Sequence, residues 1–356
     1  MTSESPSIVD VAKRAGVSVA TASRVMSGST YPVSEGTRER VLLAARELRY
    51  VPNSLARSLK AQRSKLIAVL VGDNADPYFA QVARGVEEVA NSHGYLTIIC
   101  NTERDPIREL SYLQTLQDYR ADGIVFTGSG SDETSVPEQL EIDDMIEKIQ
   151  RRGAAIVMLS PHNLQAPSIQ PDNLGGAYEL TRYLIELGHT RIAFVTGPAS
   201  VTVANQRLQG YRQALTESGI TPDDTLLFPG NFTQAGGERA AAMLNQLPRE
   251  KRPSAVFACN DETAFGLMYG LRQHGWRLPE DISICGFGNL PMARMVTPAL
   301  TTANISLREL GRAGAQKILA LLQHQDTSAQ ETFPTTIVKR ASTIPFAHAT
   351  SNIDEK

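Results

Sequence analysis

The chain has 356 residues, is 42% hydrophobic and 21% charged, and carries a formal net charge of −3, which excludes a disordered or fibrous protein and allows several packed domains. The balance hides a split: residues 1–65 hold 11 Lys+Arg against 5 Asp+Glu, a net of +6, and the remainder is an acidic body at −9. A basic head attracts phosphate through counterion release, and an acidic body does not.

The head opens with Ser7 three residues before Asp10, a capping-box-like start. Val11, Ala12 and Ala15 then share one side of a short helix. Gly16 follows, and glycine adopts the positive φ that a tight helix–helix turn needs. Ser18 is a natural N-cap for a second helix. At about 100° per residue, Ala22, Val25 and Met26 point to a core, whereas Val19, Ala20, Ser23, Arg24 and Ser27 point outward. An outer face of small residues with one arginine fits the DNA major groove: arginine reads guanine, and Val or Ala meets thymine methyls. A helix, glycine turn and reading helix make a helix-turn-helix head, expected over residues 1–51.

Pro52 breaks a third helix. Asn53 starts a segment through Leu55, Ala56, Leu59 and Lys60 that is too short to be helical alone in water. Residues 52–63 are therefore expected to be a hinge that folds on nucleic acid, with Leu59 as a minor-groove wedge beside Arg57 and Lys60. The candidate DNA contacts are Ser7, Val19, Ala20, Thr21, Ser23, Arg24 and Ser27 in the head and Ala56, Leu59 and Lys60 in the hinge. A linker helix packed on the larger domain is the alternative.

Beyond the hinge, apolar runs alternate with amphipathic stretches. Strands are expected over 66–71, 95–100, 123–127, 154–159, 191–196, 255–259 and 282–286, and helices over 79–92, 174–187, 205–218 and 235–247. Such alternation implies doubly wound parallel sheets, and their number implies two lobes. Ligands bind such sheets at the carboxyl ends of strands. No 18-residue apolar run exists, so no transmembrane helix is expected. The start MTSESPS lacks the basic and apolar regions of a secretory signal, which points to the cytoplasm. Cys100, Cys259 and Cys285 are widely spaced in apolar runs and read as buried small hydrophobes. The histidines form no metal pattern, and no G-x-G-x-x-G, P-loop or nucleophile–base pairing is visible, so neither cofactor nor enzyme activity is expected.

The runs DVAKRAGVSVATASRVMS, VSEGTRERV and YVPNSLARSLK resemble the lactose-repressor/galactose-repressor (LacI/GalR) family of bacterial transcription regulators. The resemblance continues through DNLGGAYELTRYLIELGH, RIAFVTGP, QRLQGYRQAL, PSAVFACNDETAFGL, LPEDISICGF and TPALTT. It implies a two-lobed, periplasmic-binding-protein-like body over 64–345, with lobe 1 about 64–160 and 305–326 and lobe 2 about 163–303 and 334–345. The chain would cross between lobes near 160–163, 303–306 and 326–334, and 346–356 would form a disordered tail. It also implies a homodimer on a palindromic operator, controlled by a small molecule in the interlobe cleft. Tyr78 and Phe79 match the aromatic contact after the first body strand, Arg207 the effector-clamping arginine, Phe232 a stacking aromatic, and Asn260-Asp261 a hydrogen-bonding pair at a strand end. Asp73 and Ser129, just past strand ends, complete the candidate effector site. Two positions depart from the family. Gly288 stands where sugar-responsive members carry aspartate, and Val201 where purine-responsive members carry arginine. A sugar remains the family default, its hydroxyls falling to Asp73, Asp76 or Asp172. A sugar-transport component and an α/β enzyme with a fused DNA-binding head are the rival classes; the first predicts a signal peptide and the second a catalytic motif.

Overall fold

A computed structural model describes residues 6–27, 31–50, 64–128, 136–162, 164, 166–325 and 329–346. The expected hinge 52–63, with Ala56, Leu59 and Lys60, lies outside the described residues, as do Ser129 and the tail from 347. Two compact units divide at residue 64.

The first unit contains helices α1 (Ile8–Ala15), α2 (Val19–Met26) and α3 (Glu35–Glu47). The Ser7–Asp10 capping box is formed, and Gly16 closes α1 at φ 65°. Val11, Ala12, Ala15, Ala22, Val25, Val41, Ala44 and Ala45 make one small core. Arg14 donates to Glu47 at 2.8 Å and ties α1 to α3.

The second unit is α/β. Its first lobe runs β1 (Leu66–Val71), α4 (Pro77–Ser92), β2 (Leu96–Asn101), α5 (Pro106–Asp118), β3 (Gly123–Phe126), α6 (Val136–Arg151), β4 (Ala155–Met158) and β5 (Ser168–Pro171). The second runs α7 (Asn173–Glu186), β6 (Ile192–Val195), α8 (Thr202–Glu217), β7 (Leu227–Phe228), α9 (Gln234–Gln246), β8 (Ala255–Ala258), α10 (Asp261–Gln273), β9 (Ser283–Gly288) and β10 (Thr301–Asn304). The chain then returns through α11 (Leu307–Leu322) and β11 (Gln330–Phe333) to the first lobe and ends in the second at β12 (Thr336–Val338). Sheet orders are β11-β5-β4-β3-β1-β2 and β12-β10-β9-β8-β6-β7. Described pairings are parallel except β10–β12.

The crossings correct the expected lobe boundaries. Residues 168–171 pair with β4 and β11, so the first crossing falls at 171–173 and not at 160–163. The third falls between Phe333 and Thr336, which extends the first lobe past residue 326. These segments lack strong alternation, and long-range pairing decides which sheet they join. Phe346 also departs from the expected tail: its amide donates to the Leu187 carbonyl at 2.9 Å and its ring rests on His189.

Helix α11 belongs to the first lobe because glycines let it approach. A Cβ at Gly311 would lie 2.0 Å from the Val82 carbonyl oxygen, and one at Gly85 would lie 2.0 Å from that of Arg308. The backbones of α4 and α11 therefore touch, and Ile318 packs over β3 at Gly123. The strands of each lobe end, at their carboxyl edges, on one shared cleft.

Candidate functional site

In the head, Ser18 starts α2 by accepting from the Thr21 amide at 3.1 Å. Ala22 and Val25 are buried, Val19, Ala20, Arg24 and Ser27 are exposed, and Thr21 and Ser23 are half-buried. The side chains thus divide as helical angles require. The Arg24 guanidinium lies 4.0 Å over the Tyr31 ring, a partner that helical periodicity does not indicate. Stacking restrains the planar group while leaving its edges free to donate. Ser7 sits at the start of α1, its hydroxyl given to Asp10 at 2.7 Å.

A partly open cleft lies between the lobes. Asp76, Tyr78, Phe79, Arg104, Thr127 and Ser160 form the first-lobe wall. Val201, Val203, Arg207, Phe232, Asn260, Asp261, Phe287, Gly288 and Leu290 form the second. The structure therefore brings together Tyr78, Phe79, Arg207, Phe232, Asn260 and Asp261. Asp73 stands apart: its carboxylate accepts from the Ala75 amide at 2.9 Å and shapes the turn before α4. Asp172 likewise caps α7 through the Gly175 amide at 2.8 Å. Of the three aspartates expected to take hydroxyls, only Asp76 lines the wall.

Arg207 is 5% exposed. Its Nε donates to Asn173 Oδ1 at 3.0 Å, and one terminal nitrogen donates to the Cys259 carbonyl at 2.8 Å. Phe287 lies under the guanidinium at 4.0 Å. Asn173 is itself held, donating to the Pro171 carbonyl at 3.1 Å. The group is fixed by acceptors and an aromatic face, and its remaining N–H donors point to the cleft wall.

Asn260 and Asp261 have separate duties. Asn260 caps α10 through the Thr263 amide at 3.0 Å, and its Nδ2 donates to the Phe232 carbonyl at 2.9 Å. That bond helps hold Phe232 at φ 65°, a conformation unusual for a bulky residue. Both Asp261 oxygens are engaged, with Thr302 Oγ1 at 2.5 Å and the Leu290 amide at 2.7 Å. Burial raises its pKa to about 6. Asp261 braces the wall and has little left to offer a ligand.

Asp76 caps α4 through the Tyr78 amide at 2.8 Å. Burial, with a smaller contribution from nearby Glu262, raises it to about 6. Burial also lifts the Tyr78 phenol to about 12. Ser160 Oγ is buried without a hydrogen-bond partner among the described residues. Gly288 has φ 134°, and a Cβ there would sit 3.7 Å from Asp261 Oδ2. A carboxylate at that position would confront Asp261, which gives a physical reason for a glycine.

Arg104, Thr127, Ser160, Asn173 and Phe287 were not in the expected site. Arg104, Thr127 and Ser160 each follow the carboxyl end of a strand by one to three residues, the signal that could have found them. Asn173 follows β5 by two residues, but that strand was not expected from the sequence, and Phe287 lies inside β9.

Residues 7–53 match the model for bacterial regulatory proteins of the lacI family, and residues 181–343 match a periplasmic binding protein-like domain. The HTH-type transcriptional repressor CytR of Escherichia coli K12 is 36% identical over 318 residues, 89% of each chain. The chain belongs to the lacI family of bacterial regulatory proteins. A lac repressor dimer bound to operator and the anti-inducer ONPF superposes with a TM-score of 0.82 at 27% identity, covering 96% of this chain and 100% of that one. A lacI-family regulator from Enterococcus faecium with bound ribose superposes at 0.69 with 29% identity, covering 79% and 99%. As a family member, the chain is a helix-turn-helix, DNA-binding transcriptional regulator with a ligand-binding body. Among the described residues, no helix is long and apolar enough to cross a membrane.

Proposed function

We propose that this regulator is a cytoplasmic, non-enzymatic repressor whose operator affinity is set by a carbohydrate-like effector in the interlobe cleft. The observation that carries the effector reading is Arg207, buried and braced on three sides yet with donors unspent at the cleft wall. Unsatisfied Ser160 Oγ supports it, because a buried hydroxyl without a partner marks a place for one. The ribose held by the Enterococcus relative supports the carbohydrate class.

The working division is a reading head at 1–51, a hinge at 52–63 and an effector body from 64, with lobes split at the crossings described above. Two chains pair through their bodies; the lac repressor superposed above is a dimer bound to operator, which supports a paired state. Two α2 helices then address two half-sites through Val19, Ala20, Ser23, Arg24 and Ser27, with Ser7 and Thr21 at the margin. Ala56, Leu59 and Lys60 serve the central minor groove. Effector binding changes the lobe angle and with it the cost of placing both heads at once.

A thermal-shift screen of sugars and their derivatives on the full chain tests this. A ligand at 100 times its Kd adds about 2.7 kcal/mol of stability. The expected result is a stabilising compound that also changes operator affinity. A stabiliser that leaves operator affinity unchanged removes the control role.

A further inference from the structure

Arg104 follows β2 in the first-lobe wall and faces the second lobe, its guanidinium 5.7 Å from the Phe232 ring. The turn that places it is unusual, with Glu103 at φ 54° and Arg104 at φ 57°. Non-glycine residues seldom adopt that conformation, and consecutive cases mark positions where the surroundings impose it. No ion pair or side-chain hydrogen bond is made by this guanidinium among the described residues. By contrast, Arg308 and Arg312 are tied to Glu88, and Arg340 to Asn289 and the Leu300 carbonyl. Of the carboxylates nearby, Asp76 feels the charge of Arg104 but makes no ion pair with it. Asp261 spends both oxygens on Thr302 and Leu290, and Asp76 caps α4 without approaching Arg104 to ion-pair distance.

The cleft therefore sets a guanidinium on each wall, against a single carboxylate, Asp76, with an oxygen not used in capping. Arg104 and Ser160 stand on one side and Arg207 on the other. A neutral polyol needs acceptors as well as donors, because each hydroxyl also gives a proton. An oxyanion needs donors only, and guanidinium matches it best. We propose that Arg104 contacts the effector and that the effector carries an anionic group, a phosphate or carboxylate, against the first-lobe wall. This rests on the reading of the cleft as the effector site.

Calorimetry on the full chain tests the proposal with paired probes: ribose and ribose 5-phosphate, glucose and glucose 6-phosphate, glucose and gluconate, and inorganic phosphate alone. At least one anionic probe is expected to bind tenfold or more tightly than its neutral counterpart. Arg104→Ala should erase that preference, and Arg104→Lys should restore part of it. Unchanged melting of the free variants controls for folding. Equal binding of neutral and anionic partners, a preference that survives Arg104→Ala, or failure of every anionic probe to bind overturns the proposal. A neutral probe that binds and is lost in Arg207→Ala but not in Arg104→Ala overturns the anionic class and leaves the effector cleft standing. Binding that is indifferent to both substitutions overturns both.

Discussion

Arg207 is a buried cation stabilised by neutral acceptors and a ring, an arrangement that locks its plane without spending all its donors. Arg207→Ala should abolish the effector response. It also orphans Asn173 Oδ1 and the Cys259 carbonyl, so about 1–3 kcal/mol of stability should go with it. Arg207→Lys keeps the charge but lacks the fork that spans both acceptors, and should fail nearly as badly. Asn173→Ala should weaken the effector without removing it, because the Cys259 carbonyl and Phe287 still hold the guanidinium. Calorimetry and denaturant melts on the same variants separate the two effects. An Asn173→Ala variant with wild-type affinity would show that Arg207 needs no positioning.

Asp76 makes a different residue-scale case. Its folded pKa, about 6, lies above the ordinary value of 3.8. The folded state therefore binds the proton more tightly than the unfolded chain does. This group favours folding below pH 3.8, and that advantage is lost as pH rises to 6. At neutral pH the ionised carboxylate costs up to about 3 kcal/mol. Asparagine at this position can still accept from the Tyr78 amide and remains a good N-cap. Asp76→Asn should raise the melting temperature at pH 7 and flatten its decline between pH 4 and 6. A melting profile parallel to wild type across that range would mean that Asp76 ionises without penalty.

At the scale of elements, the proposed reading of DNA by α2 rests on its one-sided burial. Arg24→Ala should cost about 1–3 kcal/mol on the specific site and little on random duplex. Competition titrations on the two duplexes decide it, and an equal loss on both would reduce Arg24 to a phosphate contact. The crossing of α4 and α11 depends on backbone approach. Gly311→Ala places a methyl 2.0 Å from the Val82 carbonyl oxygen, which cannot retreat as a flexible side chain would. A loss of about 1–3 kcal/mol follows from such overpacking, measurable in urea melts.

The same contrast explains what the sequence disclosed. Interior strands such as β1, LIAVLV, and β8, AVFA, are continuous apolar runs and legible as such. β5, SIQP, and β11, QETF, are polar and short, and only their pairing makes them strands. Missing them misplaced the first crossing. In the site, Arg207 and Phe232 were legible by motif, whereas Asn173 and Phe287 act on Arg207 from elements far away in the chain. Asp73 and Asp76 lie three positions apart, and local composition does not say which faces the cleft. The turn bonds decide: Asp73 folds back on Ala75, and Asp76 caps α4 at the wall.

Across the whole molecule, a head at +6 and a body at −9 divide the labour of affinity and control. Phosphate contacts from the head release counterions, so log affinity should fall linearly with log salt, with a slope near −0.9 per contact. The body should add little to that slope. Control enters as a coupling free energy between cleft and operator, typically about 1–3 kcal/mol, or 5–150-fold. Coupling of this kind is reciprocal. Whatever factor the effector imposes on operator affinity, saturating operator duplex must impose on effector affinity. The expected outcome is therefore two titrations that yield one number: effector binding with and without operator, and operator binding with and without effector. If α2 contacts only DNA, as proposed, Arg24→Ala should weaken the operator arm while leaving the coupling factor unchanged at saturating duplex. Arg207→Ala should remove the effector arm altogether. Unequal factors in the two wild-type titrations would mean that the ligand acts at a site other than the one whose occupancy is measured, and control through this cleft would fail.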